Sequence, residues 1–444
     1  MKRLYEPYGY GDGPVAACYW DTTVARPPPG AALRGEVRAD VAILGAGFTG
    51  LSAALHLARD AGADVTVVEA EGVGWGASGR NGGFVCIGGA KAADATLARR
   101  FGREALAEWQ GAQKAAIDLV SDILDRHGVD ADVHSREGEA VLAHSPRAFA
   151  DLKAEAEVLR RDHGKDAELL GPSDLASAGL SAAGIHGALR VPMGFAINPL
   201  KYVIGLARAA REAGARIFEN APVTRIERDG DDYILHAPEG TLRARRLIVA
   251  TNGYSSEDVP DWMAGRYLPA QSAVLVTREL TDAEIAAQGW SSDLMAYDTR
   301  NLLHYFRLMP NRRFLFGARG GTRASAEAQG QTRRVLRRDF DRMFPAWCHV
   351  ETPHHWSGFV CLTRALTPYV GPIGDWPGAW AGFAWHGNGV AMGTYAGRAL
   401  AGLATGRADV PRVMAAEPRH FPLGTMRRML LPAVYAWYGL KDRF

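Results

Sequence analysis

Three glycines, Gly45, Gly47 and Gly50, follow directly on the apolar run Val41-Ala-Ile-Leu44, and Glu69 stands nineteen residues beyond the last of them. Each residue type at that spacing has a physical use. Gly45 permits a tight turn, Gly47 lets backbone approach a pyrophosphate, and Gly50 lets a helix pack close to a strand. The helix N-terminus behind them would offer unpaired N–H groups and the positive end of a dipole. A carboxylate at Glu69 accepts from ribose hydroxyls and repels a 2′-phosphate. A second glycine-dense stretch, Gly72 to Gly83, holds Ser78, Arg80 and Asn81 among its glycines. It can turn many backbone N–H groups toward one ligand, with Arg80 as a charged fork and Ser78 as a hydroxyl. Together these stretches point to a nucleotide diphosphate.

The elements that position these residues are legible around them. Val41–Leu44 and Val65–Val68 have strand length. Leu51, Ala54, Leu55 and Ala58 recur at helical spacing between them. The order strand, glycine turn, helix, strand, carboxylate implies α/β architecture with a Rossmann-like sheet. The 444 residues suffice for two domains. Apolar residues at 47%, charged residues at 23% and a net charge of +2 are ordinary for a globular protein. They offer no large positive field for nucleic acid or an anionic membrane. Cys18, Cys86, Cys348 and Cys361 are scattered, without paired metal spacing, and read as free thiols of a reducing compartment. Met1–Tyr8 has no apolar core of leader length, and no run approaches the roughly 20 residues of a membrane span. The expectation is a cytoplasmic protein without a membrane span.

Farther along, residues 1–39 read as an arm docked by Tyr19 and Trp20, with Pro27–Pro29 as a spacer. Helices are expected over 94–127, 147–161, Pro199–Glu212 (capped by Asn198), 332–344 and 390–403. Strands are expected at 139–143, 215–218, 223–228, 233–237, 246–250, 273–277, 302–308, 314–318 and 380–385. The chain thus visits a nucleotide domain three times (40–93, 184–262 and 352–412). Between visits it builds an α+β substrate domain on an antiparallel sheet (94–183 and 263–351), and a docked helix closes it (413–444). The glycine motif alone does not separate NAD from FAD. Its single occurrence disfavours a flavin enzyme reduced by NAD(P)H, and three separated strand–turn–glycine elements suggest one cofactor held along its length.

Further motifs carry a resemblance over nearly the whole chain: Cys18-Tyr-Trp20, Val73–Gly83, Ala250-Thr-Asn-Gly-Tyr254, Tyr305-Phe-Arg307, Trp356–Arg364 with Pro368 and Gly371, His386-Gly-Asn-Gly-Val390, and Tyr438–Asp442. The chain resembles the FAD-dependent D-amino-acid oxidase/glycine oxidase superfamily, in its gamma-glutamylputrescine oxidoreductase-like branch, with the glutathione-reductase-2-like FAD fold. The resemblance implies that Gly45, Gly47, Phe48, Thr49, Gly50, Glu69 and Ala70 hold the ADP half of FAD, with Val223 at the adenine. It assigns Gly76, Ala77, Ser78, Arg80, Asn81, Gly82 and Gly83 to the diphosphate, ribityl chain and ring. Ala250, Thr251, Asn252, Gly358, Gly387, Asn388, Gly389 and Val390 complete the set, the last two opening a helix toward the ring. The implied reaction is hydride loss from a C–N carbon, giving an imine that water hydrolyses, with O2 or another acceptor taking the electrons.

Departures from the relatives sharpen the expectation. Gly83 and Ala391 occupy the positions where sarcosine-oxidase-like enzymes grip a substrate carboxylate. Leu315 stands where they carry an oxygen-activating lysine. The offset of Cys361 favours non-covalent FAD. The expected substrate is therefore a modified polyamine or related secondary or primary amine rather than a small amino acid. Alternatives are an amino-acid dehydrogenase using a non-oxygen acceptor and a catalytically silent flavoprotein. His386, Tyr305 and Arg307 are the candidate catalytic residues, against a backbone-satisfying histidine and an edge arginine. Trp356, Trp385 and Tyr254 are candidates for an aromatic wall. His349, Glu351, His354 and His355 lack metal-ligand spacing, so no metal is expected. The apolar tail Met429–Tyr438, flanked by basic residues, reads as a docked helix rather than a membrane contact.

Overall fold

The computed structural model describes residues 1–163, 166–407 and 410–442. The expected domain and tail segments at 164–165, 408–409 and 443–444 lie outside the described residues. Val41–Leu44 is buried because it runs at the centre of a sheet. Strand Gly35–Leu44 pairs in parallel with Gly240–Val249 on one side and with Val65–Val68 on the other. The strand begins at Gly35, ahead of the apolar run, because its polar first half pairs with Gly240–Ala244. The sheet continues through Ala379–Phe383 to the antiparallel edge Tyr369–Pro372, and on the other flank to Arg216–Phe218. The hairpin Arg225–Asp229 and Asp232–His236 attaches to Gly240–Val249.

Helix Phe48–Ala61 lies against this sheet between helices Pro199–Glu212 and Ala391–Ala404. A Cβ at Gly397 would strike the Thr49 carbonyl, so glycine is what allows the two helices to touch. Asn198 caps the second helix as expected, its side chain accepting from Leu200 N and Lys201 N, with Pro199 at the first helical position.

A second eight-stranded sheet orders His354–Leu362, Leu268–Val276, Phe314–Arg319, His304–Leu308, Met295–Asp298, Glu139–Leu142, Ala188–Val191 and Glu168–Leu170. Only its Met295–Asp298/Glu139–Leu142 pair is parallel. One face packs Phe306, Phe314 and Phe316 against Phe340 of helix Ala326–Met343 and Phe344 at its C-cap, with Trp290 and Trp347. The architecture is a Rossmann-like FAD-type sheet joined to an antiparallel substrate-type sheet.

Local differences have local causes. Helix 94–127 is two helices, Asp94–Phe101 and Arg103–Arg126, broken at Gly102 with φ +90°. Helix 332–344 starts earlier, at Ala326, because the Ser325 side chain accepts from Ala328 N. Strands Ala188–Val191 and His354–Leu362, within stretches expected in the nucleotide domain, hydrogen-bond into the second sheet. The arm is docked: Trp20 is 2% exposed and donates from Nε1 to Asn81 O at 2.9 Å. At the other end, buried Arg427 forks onto Glu257 (2.5 and 2.8 Å) and donates to Tyr267 O. Helix Leu430–Lys441 follows, buried mainly through Leu431.

Candidate active site

A cleft opens at the C-terminal ends of the parallel strands, where ligands bind in such sheets. Gly45, Gly47, Phe48, Thr49, Glu69, Ala70, Gly76, Ala77, Ser78, Asn81, Val223, Ala250, Thr251, Asn252, Gly387 and Gly389 all line it. Gly45 takes φ +107°, where a Cβ would sit 3.0 Å from Ala250 O. Gly47 precedes helix Phe48–Ala61 without a side-chain cap, and a Cβ there would lie 2.8 Å from Ser78 Oγ. Ser78 Oγ accepts from Phe48 N at 3.0 Å, tying the second glycine loop to the first helix turn. Glu69 receives Ala46 N at 2.7 Å and Glu71 N at 3.1 Å. Burial nevertheless holds its carboxyl above the usual range. Gly50 lies behind the cleft: a Cβ would overlap the Gly45 carbonyl oxygen, so its role is to close the turn on the helix.

A second cavity adjoins the first, and Ala77, Asn81, Phe359, Val360, His386 and Gly387 line both. Its other walls include the expected Arg80, Gly82, Tyr305, Gly358, Asn388 and Val390, and helix Ala391–Ala404 begins at this junction with no side-chain cap. Arg80 is 4% exposed and stacks 4.1 Å over Trp75. Its Nε donates to Trp75 O at 2.6 Å and Nη1 to Ser357 O at 3.3 Å, while Nη2 has no protein partner. Asn81 spends its side chain on backbone, donating to Ala77 O and Ser78 O and accepting from Gly83 N. Asn388 likewise donates to Ile87 O. Tyr305 turns its hydroxyl to Ser272 Oγ at 3.0 Å.

The remaining expected residues make the following contacts. His386 is buried, with Nδ1 2.9 Å from Gly89 O and Nε2 accepting from Thr363 N at 3.3 Å. Both ring nitrogens serve backbone, and burial lowers its pKa to about 4, so the ring is neutral near pH 7. Arg307 shares a strand face with Tyr305 but does not reach the cavity. Its Nη2 donates to Ile197 O at 2.8 Å, and its guanidinium lies under Trp20 and Phe84. Gly83, at φ +74°, is stacked on Ile197 and Arg307 and supports the loop from behind. The proposed aromatic wall is also divided: Tyr254 and Trp385 face the first cleft and Trp356 the second cavity. Lys91, Ser272, Tyr297 and Arg319 line the second cavity. Sequence patterning does not single them out, because they come from separate loops and strands with no shared local motif.

The family profile for FAD dependent oxidoreductase (DAO) matches residues 40–403. The chain belongs to this FAD-dependent oxidoreductase family. A probable oxidoreductase OrdL of Rhizobium meliloti (strain 1021) is 31% identical over 96% of this chain and 97% of its own. Gamma-glutamylputrescine oxidoreductase of Escherichia coli (strain K12) is 30% identical over 96% of this chain and 98% of its own. Among solved structures, glycine oxidase from Geobacillus kaustophilus superposes with a TM-score of 0.70 at 20% identity, covering 87% of this chain and all of that one. Iminodiacetate oxidase from Chelativorans sp. BNC1 gives 0.70 at 19%, over 85% of this chain and all of that one. The FAD-dependent oxidoreductase fits its cofactor physically. The glycine turn, where a Cβ at Gly47 would press on Ser78 Oγ, and the N-terminus of helix Phe48–Ala61 behind it suit a dinucleotide with an anionic diphosphate, and the buried Arg80 Nη2 without a protein partner leaves a charged donor at the adjoining second cavity.

Proposed function

We propose that the first cleft holds FAD non-covalently and that the second cavity holds an amine whose C–N bond is oxidised to an imine, which water then hydrolyses. The observation that carries this reading is the junction at Asn81, Val360 and Gly387, where the glycine-lined cleft at the strand ends meets a separate, largely apolar cavity. Relatives named for gamma-glutamylputrescine and glycine support a C–N bond as the target. Bound FAD supplies the two-electron acceptor. Glu69 would take the ribose hydroxyls, and the N-terminus of helix Phe48–Ala61 with Ser78 the diphosphate. Arg80 and the helix opening at Val390 would lend positive potential near the ring. Tyr305 and Trp356 shape the amine pocket and exclude water. With both nitrogens of His386 engaged by backbone, a neutral amine supplies its own electron pair. The Cys361 thiol is pushed up to about 12 by burial, which keeps it protonated and opposes a covalent flavin link.

Leu315 is fully buried and apolar, so the chain offers no cation there to draw O2 to the ring. That favours an acceptor other than O2 as a second reading. The four free cysteines, three of them buried, accord with a reducing compartment, the cytoplasm. Among the described residues no helix is long and apolar enough to cross a membrane. Anaerobic mixing of the holoprotein with a panel of amines tests the reaction. Bleaching of the visible flavin absorbance by at least one amine is expected, and failure with every amine and amino acid would overturn the reading in favour of a silent flavoprotein. Reoxidation by air after bleaching then separates oxidase from dehydrogenase.

A further inference from the structure

Among the described residues that line the first cleft, one is a lysine or arginine, and it is Arg3. Glu69 and Glu71 line the cleft as well, and Arg80 lines the second cavity instead. The N-terminus of helix Phe48–Ala61 supplies about half a positive charge, short of what a diphosphate carries. Arg3 comes from the docked arm, outside the residues 40–403 that the family profile matches.

The side chain is held at the cleft. Arg3 is half-buried, and its guanidinium lies 4.5 Å over the ring of Tyr10, another cleft-lining residue of the arm. It donates to Tyr254 O and, at 3.4 Å, to Met1 Sδ, and to no carboxylate among the described residues. A guanidinium has more N–H donors than these two contacts use. Tyr254 in turn stands against the second glycine loop. Its ring is 5.7 Å from that of Trp75, and a Cβ on Gly76 would meet it at 3.3 Å. An arginine with spare donors therefore sits beside the loop that carries Ser78.

The arm is fixed on both sides of Arg3. Lys2 O accepts from Glu257 N at 2.9 Å, and buried Arg427 clamps the Glu257 carboxylate. Glu6 accepts from both terminal nitrogens of Arg428, at 2.8 and 2.9 Å, and from Ala324 N at 2.9 Å. Between them Tyr5 is buried against Phe359, ring centroids 4.8 Å apart. An arm ordered in advance spares the entropy of ordering it on binding.

We propose that Arg3 is an FAD-binding residue that takes the anionic diphosphate, and that Glu6 and Arg428 position it by strapping the arm across the cleft. This rests on the reading of the first cleft as the FAD site.

Dilution of the holoprotein, followed by the rise of free FAD fluorescence, gives Kd and release rate, and added ADP competes for rebinding. In Arg3→Gln the Kd of FAD and that of ADP should both rise roughly tenfold, the scale of a hydrogen bond between charged groups. Arg3→Lys should lose less. Added salt should weaken FAD binding more in the wild type than in Arg3→Gln, because the screened charge is gone from the variant. Glu6→Gln should speed FAD release, and the double variant should release FAD no faster than Arg3→Gln. Unchanged FAD and ADP affinity in Arg3→Gln, or a loss that keeps the salt sensitivity of the wild type, would overturn the diphosphate contact and leave FAD binding standing. Faster release from the double variant than from Arg3→Gln would overturn the positioning role. A wild-type protein that binds no FAD would end the reading of the cleft itself.

Discussion

Replacing Gly50 by alanine adds one methyl group at the most constrained point of the glycine turn. The new Cβ would overlap the Gly45 carbonyl oxygen, a backbone atom, and would also press to 3.3 Å from Ile43 Cγ2. No side chain can swing aside, so the turn must move off the helix. Overpacking a tight site typically costs 1–3 kcal/mol, and the rigidity here places Gly50→Ala at about 3 kcal/mol. A chain of 444 residues unfolds with an entropy of about 0.9 kcal/mol/K, so 1 kcal/mol corresponds to roughly 1 °C of Tm. The apoprotein should lose about 3 °C, and FAD affinity should fall more than roughly tenfold because the diphosphate N–H groups are displaced. Gly111→Ala is the control. Gly111 is exposed within helix Arg103–Arg126 with nothing near its Cβ position. The same methyl should there raise Tm by about 1 °C through helix propensity. Thermal unfolding of the apoproteins and fluorescence titration with FAD read both effects. A Gly50→Ala protein with wild-type Tm and FAD affinity would refute the reasoning.

Glu69→Gln removes the charge that accepts Ala46 N and faces the proposed ribose; FAD Kd should rise roughly 10–100-fold by titration. The buried His304–Asp298 pair, 2.7 Å apart, raises the His304 pKa from 6.5 to about 9. Its stabilisation is complete below pH 6.5 and lost as pH rises through 9, at most about 3 kcal/mol. Tm should therefore fall between pH 6.5 and 9.5 in the wild type, and less in His304→Asn. Arg427→Ala leaves Glu257 buried and unpaired; a loss of about 3–5 kcal/mol, or roughly 3–5 °C, is expected in thermal unfolding.

Legibility followed the range of the interactions involved. Val41 to Glu69 could be read residue by residue because strand, turn and helix there are encoded within thirty positions, and the observed strand, turn and helix follow that reading. The Asn198 cap is equally local. Sheet membership was not local. Ala188–Val191 is apolar enough for either sheet, and only its pairing with Glu139–Leu142, some fifty residues upstream, decides. Arg307 shows a different limit. Alternation correctly puts it on the face of Tyr305, but depth along that face depends on Gly83 and Ile197 closing over it. Lys91 and Arg319 had no pattern at all to reveal them, since only the folded cavity brings them together.

The account depends most on the cofactor. The flavin content of the purified protein, measured by absorbance before and after acid precipitation, tests that directly. The account predicts one FAD per chain, released into the supernatant. A colourless protein that binds no added FAD would contradict it.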